Sequence, residues 1–356
     1  MRKNLFYFLA AFAACPLAVQ ASSNASVTTV PVGFFSFSFP ATGSTATTTY
    51  LSLPLDSRPT YSGAVSAVTS NSISVGDSPA PWKAGALATA ATPYFVKFLS
   101  GAESGRVIKV TANTTDSLTL DTTDNSSQTV ALTTSNFSVE TGDTFEVFVG
   151  DTLGSVFGAH TSASPLILKG ASTPSFSDSI AIYSTALTRW QTYYFNSKLN
   201  YWTLSGGTTN ANNTVLYPYG ALTITRRAKD AATALVLTGR VAEVAMLTKT
   251  TGSDVNTYSS TKYPSNITLS QLKFGANWTK SASPYTADTV AVWDAAMTQF
   301  NTYYQLPDST WREYGDPSTD TSSLVVPAGT VLSILKRSAV SGATSFLQSV
   351  LPYSIN

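Results

Sequence analysis

Hydrophobic and polar positions alternate with a period of two along most of this chain. Examples are GFFSFSF from Gly33, YLSLPL from Tyr50, SGAVSAV from Ser62, NSISV from Asn71, SLTLD from Ser117, TFEVFV from Thr144 and LTIT from Leu222. The runs are short, rich in Val, Ile, Thr, Phe and Tyr, and separated by Gly, Pro, Asn and Asp. That combination predicts β-strands bounded by turns. Helical spacing is scarce: TLGSVFG from Thr152 predicts a single turn, and SILKR from Ser333 reads as a strand. Strands at this regular spacing predict an all-β fold of small β-sandwich or β-barrel-like domains.

The second half of the pattern is written twice. The run DSIAIYSTALTRWQTYYF from Asp178 returns as DTVAVWDAAMTQFNTYYQ from Asp288, an offset of 288 − 178 = 110 residues. Apolar and aromatic positions stay apolar or aromatic, so the repeated quantity is a buried pattern. Pro218–Arg227 is echoed by Pro327–Arg337, Ala232–Leu237 by Ala343–Gln348, and Thr152–Gly158 by Thr268–Gly275 with one residue inserted. Two copies are too few for a solenoid and predict tandem domains related by internal duplication. The expected organisation is an export signal at 1–21, an N-terminal β domain at 22–150, one repeat unit at 151–247 and a second at 248–356.

Composition changes the picture of the surface. Only 12% of residues are charged and the net charge is +1, while 43% are hydrophobic. An ordinary soluble domain carries about 25% charged residues, so Ser, Thr and Asn take up much of this surface. Without a basic footprint, nucleic acid is not an expected partner. At the N-terminus, Arg2 and Lys3, the apolar Leu5–Ala14 and the Val19–Ala21 cleavage pattern read as a secretory signal. The apolar stretch is too short to span a bilayer, so no transmembrane helix is expected in the mature chain. A minor alternative makes Cys15 a lipidated N-terminus. Cys15 is the only cysteine, so a chain cut after Ala21 has neither disulfides nor thiolate metal ligands.

Several stretches together carry a resemblance. They are VPVGFFSF from Val30, LSLPLDSRPTYSGAVSAVTSNSISV from Leu51, YFVKFLSGAESGRVIKV from Tyr94, GDTFEVF from Gly142 and TLGSVFG from Thr152. The repeats add paired tyrosines, a following tryptophan, a Pro-x-Gly strand and the basic pairs Arg226–Arg227 and Lys336–Arg337. Across nearly the whole mature chain this resembles an uncharacterised family of secreted paralogues abundant in verrucomicrobial bacteria. The resemblance implies export, β-rich architecture and many copies per genome. It implies no activity.

Candidate chemistry is sparse. His160 is the only histidine, and it lies in a loop-like GAHTSASP stretch without a nucleophile-elbow motif. Glutamates are limited to Glu103, Glu140, Glu146, Glu243 and Glu313, with nothing to nominate a glycosidase pair. Asp143, Asp178 and Asp288 recur in a small–Asp–Ser/Thr–apolar signature. Each can accept backbone N–H bonds at the entry to a strand; the alternative, calcium ligation, lacks the clustered carboxylates that such sites use. No catalytic residue, metal ligand or cofactor is therefore assigned. On the strand through Trp190, the face bearing Trp190, Thr192 and Tyr194 is expected in the core. The opposite face is more polar in the second copy, making Tyr193 and Tyr303, followed by Trp202 and Trp311, candidates for an exposed carbohydrate platform; cross-strand packing is the competing reading. The expected function is a non-catalytic structural or adhesive protein on the outer surface of a bacterium or in its extracellular matrix. Its expected partners are copies of itself or an envelope polysaccharide, with carbohydrate binding as the alternative function.

Overall fold

The computed structural model describes residues 31–77, 82–123, 131–134, 137–184, 187, 189–250, 256–275, 277–337 and 346–354; the export signal expected at 1–21, with Cys15, lies outside them. Among the described residues the architecture is all-β, interrupted by the short helix α1 (Leu153–Phe157) and a 3-10 turn at Leu269–Gln271. None of the described helices is long and apolar enough to cross a membrane. Helix α1 is the turn expected at Thr152. Thr152 and Ser155 cap each other's backbone N–H groups at 3.2 and 2.8 Å, and Thr268 with Gln271 repeats the device in the second copy.

The chain opens with β1 (Val32–Phe39) and β2 (Thr47–Leu51). It then forms β3 (Pro59–Ala64), β4 (Ala67–Val68), β5 (Ser72–Ser74), β6 (Tyr94–Phe98), β7 (Val107–Asn113) and β8 (Ser117–Leu120). After the small hairpin β9–β10 (Thr133–Thr134, Phe137–Ser138) comes β11 (Thr144–Val149). Seven of these strands build one antiparallel sheet in the order β3-β11-β6-β7-β8-β5-β4. Its core holds Ile73, Val96, Phe98, Ile108, Leu118, Phe145 and Val147.

The first repeat contributes β12 (Asp151–Thr152), β13 (Ser179–Ser184), β14 (Arg189–Asn196), β15 (Tyr201–Leu204), β16 (Val215–Leu216), β17 (Leu222–Arg226) and β18 (Thr233–Arg240). The second contributes β19 (Met246–Lys249), β20 (Asn256–Ser260), β21 (Ile267–Thr268), β22 (Leu272–Phe274), β23 (Thr289–Asp294), β24 (Gln299–Gln305), β25 (Trp311–Glu313), β26 (Val325–Val326), β27 (Val331–Leu335) and β28 (Phe346–Ser349). The principal sheets run β15-β14-β13-β17-β2 and β25-β24-β23-β27-β20, the same order twice. Each repeat has its own apolar core, around Ile180, Phe195, Trp202 and Ile224 in the first and Val290, Tyr303, Trp311 and Ile334 in the second.

The sheet order revises the domain boundaries expected from sequence. The fifth strand of the first sheet is β2, which lies before residue 150, and β1 likewise pairs with β18. Tyr50 stands opposite Thr223, and Tyr258 opposite Ser333; since 333 − 223 = 110, β2 and β20 are equivalent strands. The first repeat therefore begins at β1, and the seven-stranded sheet of residues 59–149 is inserted within it. The second copy carries only residues 261–266 at that point. From Pro31 onward the chain is one compact unit.

Buried ion pairs join the insertion to both repeats. Lys97 of β6 contacts Asp56 at 2.8 Å and Glu146 at 2.7 Å, and Arg240 of β18 contacts Glu146 at 2.8 Å. The Tyr219 hydroxyl donates to Asp56 at 2.6 Å. On the other side, Lys249 of β19 reaches Glu103 at 3.2 Å. Gly105 lets the two backbones touch there: its carbonyl accepts the Leu247 N–H at 2.9 Å. It has φ +84, and a Cβ would lie 2.0 Å from the Ala245 carbonyl oxygen, so only glycine suits the position.

Candidate functional site

The two repeat sheets meet through aromatic side chains on their second faces. Tyr50 of β2 packs on Trp293 and Phe300 of the other repeat, with ring centroids 4.5 and 4.9 Å away. Its counterpart Tyr258 of β20 packs on Tyr183 and Trp190, at 4.7 and 5.1 Å. Tyr183 is equivalent to Trp293, and Trp190 to Phe300, at the 110-residue offset. The contact is thus made twice with the roles of the repeats exchanged, as across the two-fold axis of an isologous dimer. Burial, and then the neighbouring Tyr258, hold the Tyr50 and Tyr183 hydroxyls above the ordinary tyrosine range.

This arrangement corrects the expected carbohydrate platform. Tyr193 and Tyr303 are only 8% and 4% exposed, and Trp202 and Trp311 are fully buried. All four pack in the repeat cores, and the Trp202 indole N–H donates to the Gly158 carbonyl at 2.7 Å. No sugar can stack on them. Of the face expected in the core, Trp190 and Thr192 are half-buried on the side that meets the opposite sheet, while Tyr194 is buried, at 5% exposed. Strand β14 has one face in its own core and the other against a second sheet, so polar–apolar alternation could not tell them apart.

The sequence signature around Asp178 and Asp288 anchors the strand ends. Asp178 accepts the N–H groups of Lys169 and Arg227 at 3.1 and 2.9 Å, with Arg226 at 3.6 Å. Asp288 accepts those of Thr279 and Arg337, with Lys336 at 3.4 Å. The first basic residue of each pair thus balances the buried carboxylate, while the second supplies a backbone donor. Asp143 accepts the Glu140 N–H at 2.9 Å. Asp143 thus caps its own turn, whereas Asp178 and Asp288 tie their strand entries to segments 9 and 49 residues away. His160 is exposed and pairs through Nδ1 with Asn200. Glu103 and Glu146 are held in the buried ion pairs.

Open recesses flank the aromatic contact. One of about 560 Å³ is lined by Phe37, Thr49, Tyr50, Trp293, Asp294 and Asn301, among others. Two more are related by the duplication. The first-repeat recess, about 380 Å³, includes Ser179, Trp190, Thr192, Ser205 and Arg227. The second-repeat recess, about 440 Å³, includes Thr289, Phe300, Thr302, Tyr314 and Arg337 at the corresponding positions. Ser205 and Tyr314 correspond because their N–H groups bond the equivalent Thr192 and Thr302 carbonyls, each at 2.8 Å. Each recess therefore has an aromatic wall, threonine or serine hydroxyls and an arginine. The volumes suit small ligands or short polymer segments. Comparison with protein-family models, curated proteins and solved structures returns no match. The paired recesses were hidden in the sequence because each draws on strands and loops far apart in the chain. The one available signal is the repeated Trp190/Phe300 position, which polar–apolar alternation alone assigns to the core.

Proposed function

We propose that this protein is a non-catalytic adhesive or structural component of a bacterial envelope or extracellular matrix, and that the duplicated recesses are its adhesive surface. The observation that carries this reading is the recurrence of an open, hydroxyl-lined recess with an aromatic wall at equivalent places on two joined sheets. Two equivalent sites on one body give avidity toward a repetitive ligand. The ionic groups at the sheet junctions serve assembly, since Lys97, Glu146, Asp56 and Arg240 neutralise one another in the interior.

Carbohydrate binding is the form of adhesion that the lining favours. Sugar C–H faces stack on flat aromatic rings, and threonine and serine hydroxyls both donate and accept. The platform of this reading consists of Trp190 and Phe300 with their neighbours, in place of Tyr193, Trp202, Tyr303 and Trp311. Light scattering over a concentration series, together with binding to a polysaccharide panel, tests the proposal. Growth into regular assemblies supports the structural role, and glycan binding by a monomer supports the adhesive one. A monodisperse monomer that retains no polysaccharide would rule out both.

A further inference from the structure

The two related recesses differ in a coordinated way. In the first, Arg227 is tied down: its Nε donates to the Ser177 carbonyl at 2.9 Å and its Nη2 to the Pro174 carbonyl at 2.6 Å. In the second, the equivalent Arg337 is exposed, and its guanidinium makes no hydrogen bond or ion pair among the described residues. The first copy has Ser175 and Ser205 where the second has Tyr285 and Tyr314. These two tyrosines are 67% and 46% exposed. Their rings pack edge to face at 5.6 Å, and the neighbouring Tyr285 side chain holds the Tyr314 hydroxyl above the ordinary tyrosine range. One copy has thus released an arginine and acquired two exposed aromatic rings beside it.

We infer that the second-repeat recess is a subsite for an anionic sugar unit of a polysaccharide, a uronate or a sulfated sugar. This deepens the carbohydrate reading above and rests on it. Arg337 supplies a planar guanidinium that binds a carboxylate or sulfate through two parallel N–H bonds. Tyr314 and Tyr285 supply ring surface for the sugar's apolar face, and Thr289, Thr302 and Asn256 bring hydroxyl and amide groups to the recess and its rim. Tyr and Arg are the residue types that dominate binding hot spots. The first recess, with its arginine occupied and serines in place of the tyrosines, takes neutral sugar units instead.

The test is calorimetric titration of the full chain with oligogalacturonate, a sulfated oligosaccharide and a neutral glucan, at low and high salt. Arg337→Ala is expected to weaken the preferred anionic ligand at least tenfold and flatten its salt dependence. Tyr314→Ser, which restores the residue type of the first copy, is expected to weaken the same ligand. Both positions are exposed, so the melting temperature checks that folding is unaltered. Whether oligogalacturonate or the sulfated ligand binds tighter identifies the anion. Binding of neutral glucan alone, or anionic binding that survives Arg337→Ala, overturns the subsite and leaves the carbohydrate reading standing. Failure to bind all three overturns both.

Discussion

Single residues here are constrained by what burial demands of them. Tyr303 fills the second repeat's core among Val290, Trp311 and Ile334. Its replacement by alanine is expected to cost about 3–5 kcal/mol, as for other large-to-small aromatic changes, measured by denaturant unfolding. A surface sugar-binding tyrosine would have shown almost no change. Asp288 is a different case, since it is fully buried and balanced by Lys336. Asp288→Asn leaves that ammonium uncompensated and is expected to lose about 3–5 kcal/mol, read from the same unfolding curves. The Asp288 position was legible in the sequence, because the aspartate recurs at the entry of equivalent strands, but its backbone partners Thr279 and Arg337, 9 and 49 residues away, were not. The role of Lys336 was not, for its contact crosses 48 residues of chain.

Among elements, β2 and β20 act as reciprocal clasps. Each completes its own sheet and presents one tyrosine to the other repeat. Aromatic pairs of this type contribute about 0.5–1.5 kcal/mol beyond their buried area. Tyr258→Ala is therefore expected to speed hydrogen exchange in β13, β14 and β20 while the core of the inserted sheet stays protected. Equal acceleration in β3–β11 would show that the clasp is not local. The strands themselves were legible: the alternations beginning at Gly33, Ser117, Thr144 and Leu222 all lie on observed strands. The pairing of β2 with β17 was not, since a strand's own pattern holds no record of a partner more than 170 residues away. For the same reason the sequence pattern reads residues 22–150 as one N-terminal domain, although β1 and β2 belong to the first repeat and only 59–149 form the insertion.

For the whole molecule, the buried junctions link stability to pH. Burial would lower the Lys97 pKa, but Asp56 and Glu146 outweigh it and raise it, so the folded chain keeps a proton that the unfolded chain releases first. Burial also pushes the Tyr263 hydroxyl up to about 12, while an unfolded tyrosine ionises near 10. Above pH about 10 the unfolded chain therefore binds fewer protons than the folded one, and stability falls as pH rises. Alkaline unfolding with tyrosinate absorbance appearing in the same cooperative step is the expected result. Smooth tyrosine titration near pH 10 without unfolding would contradict it.

The nested insertion also sets the order in which the molecule can be made. Thr49 must wait for Ile224, 224 − 49 = 175 residues later, whereas Thr257 meets Ile334 after 334 − 257 = 77. Closure over the longer loop is slower, so the second repeat can complete its principal sheet over much the shorter span. Until then, the edge of β17 stands open to two similar tyrosine-bearing strands, its own β2 and the later β20. A chain carrying its duplicate thus brings a competitor for its own docking edge, and exchange of these strands is the misfolding route most available to it.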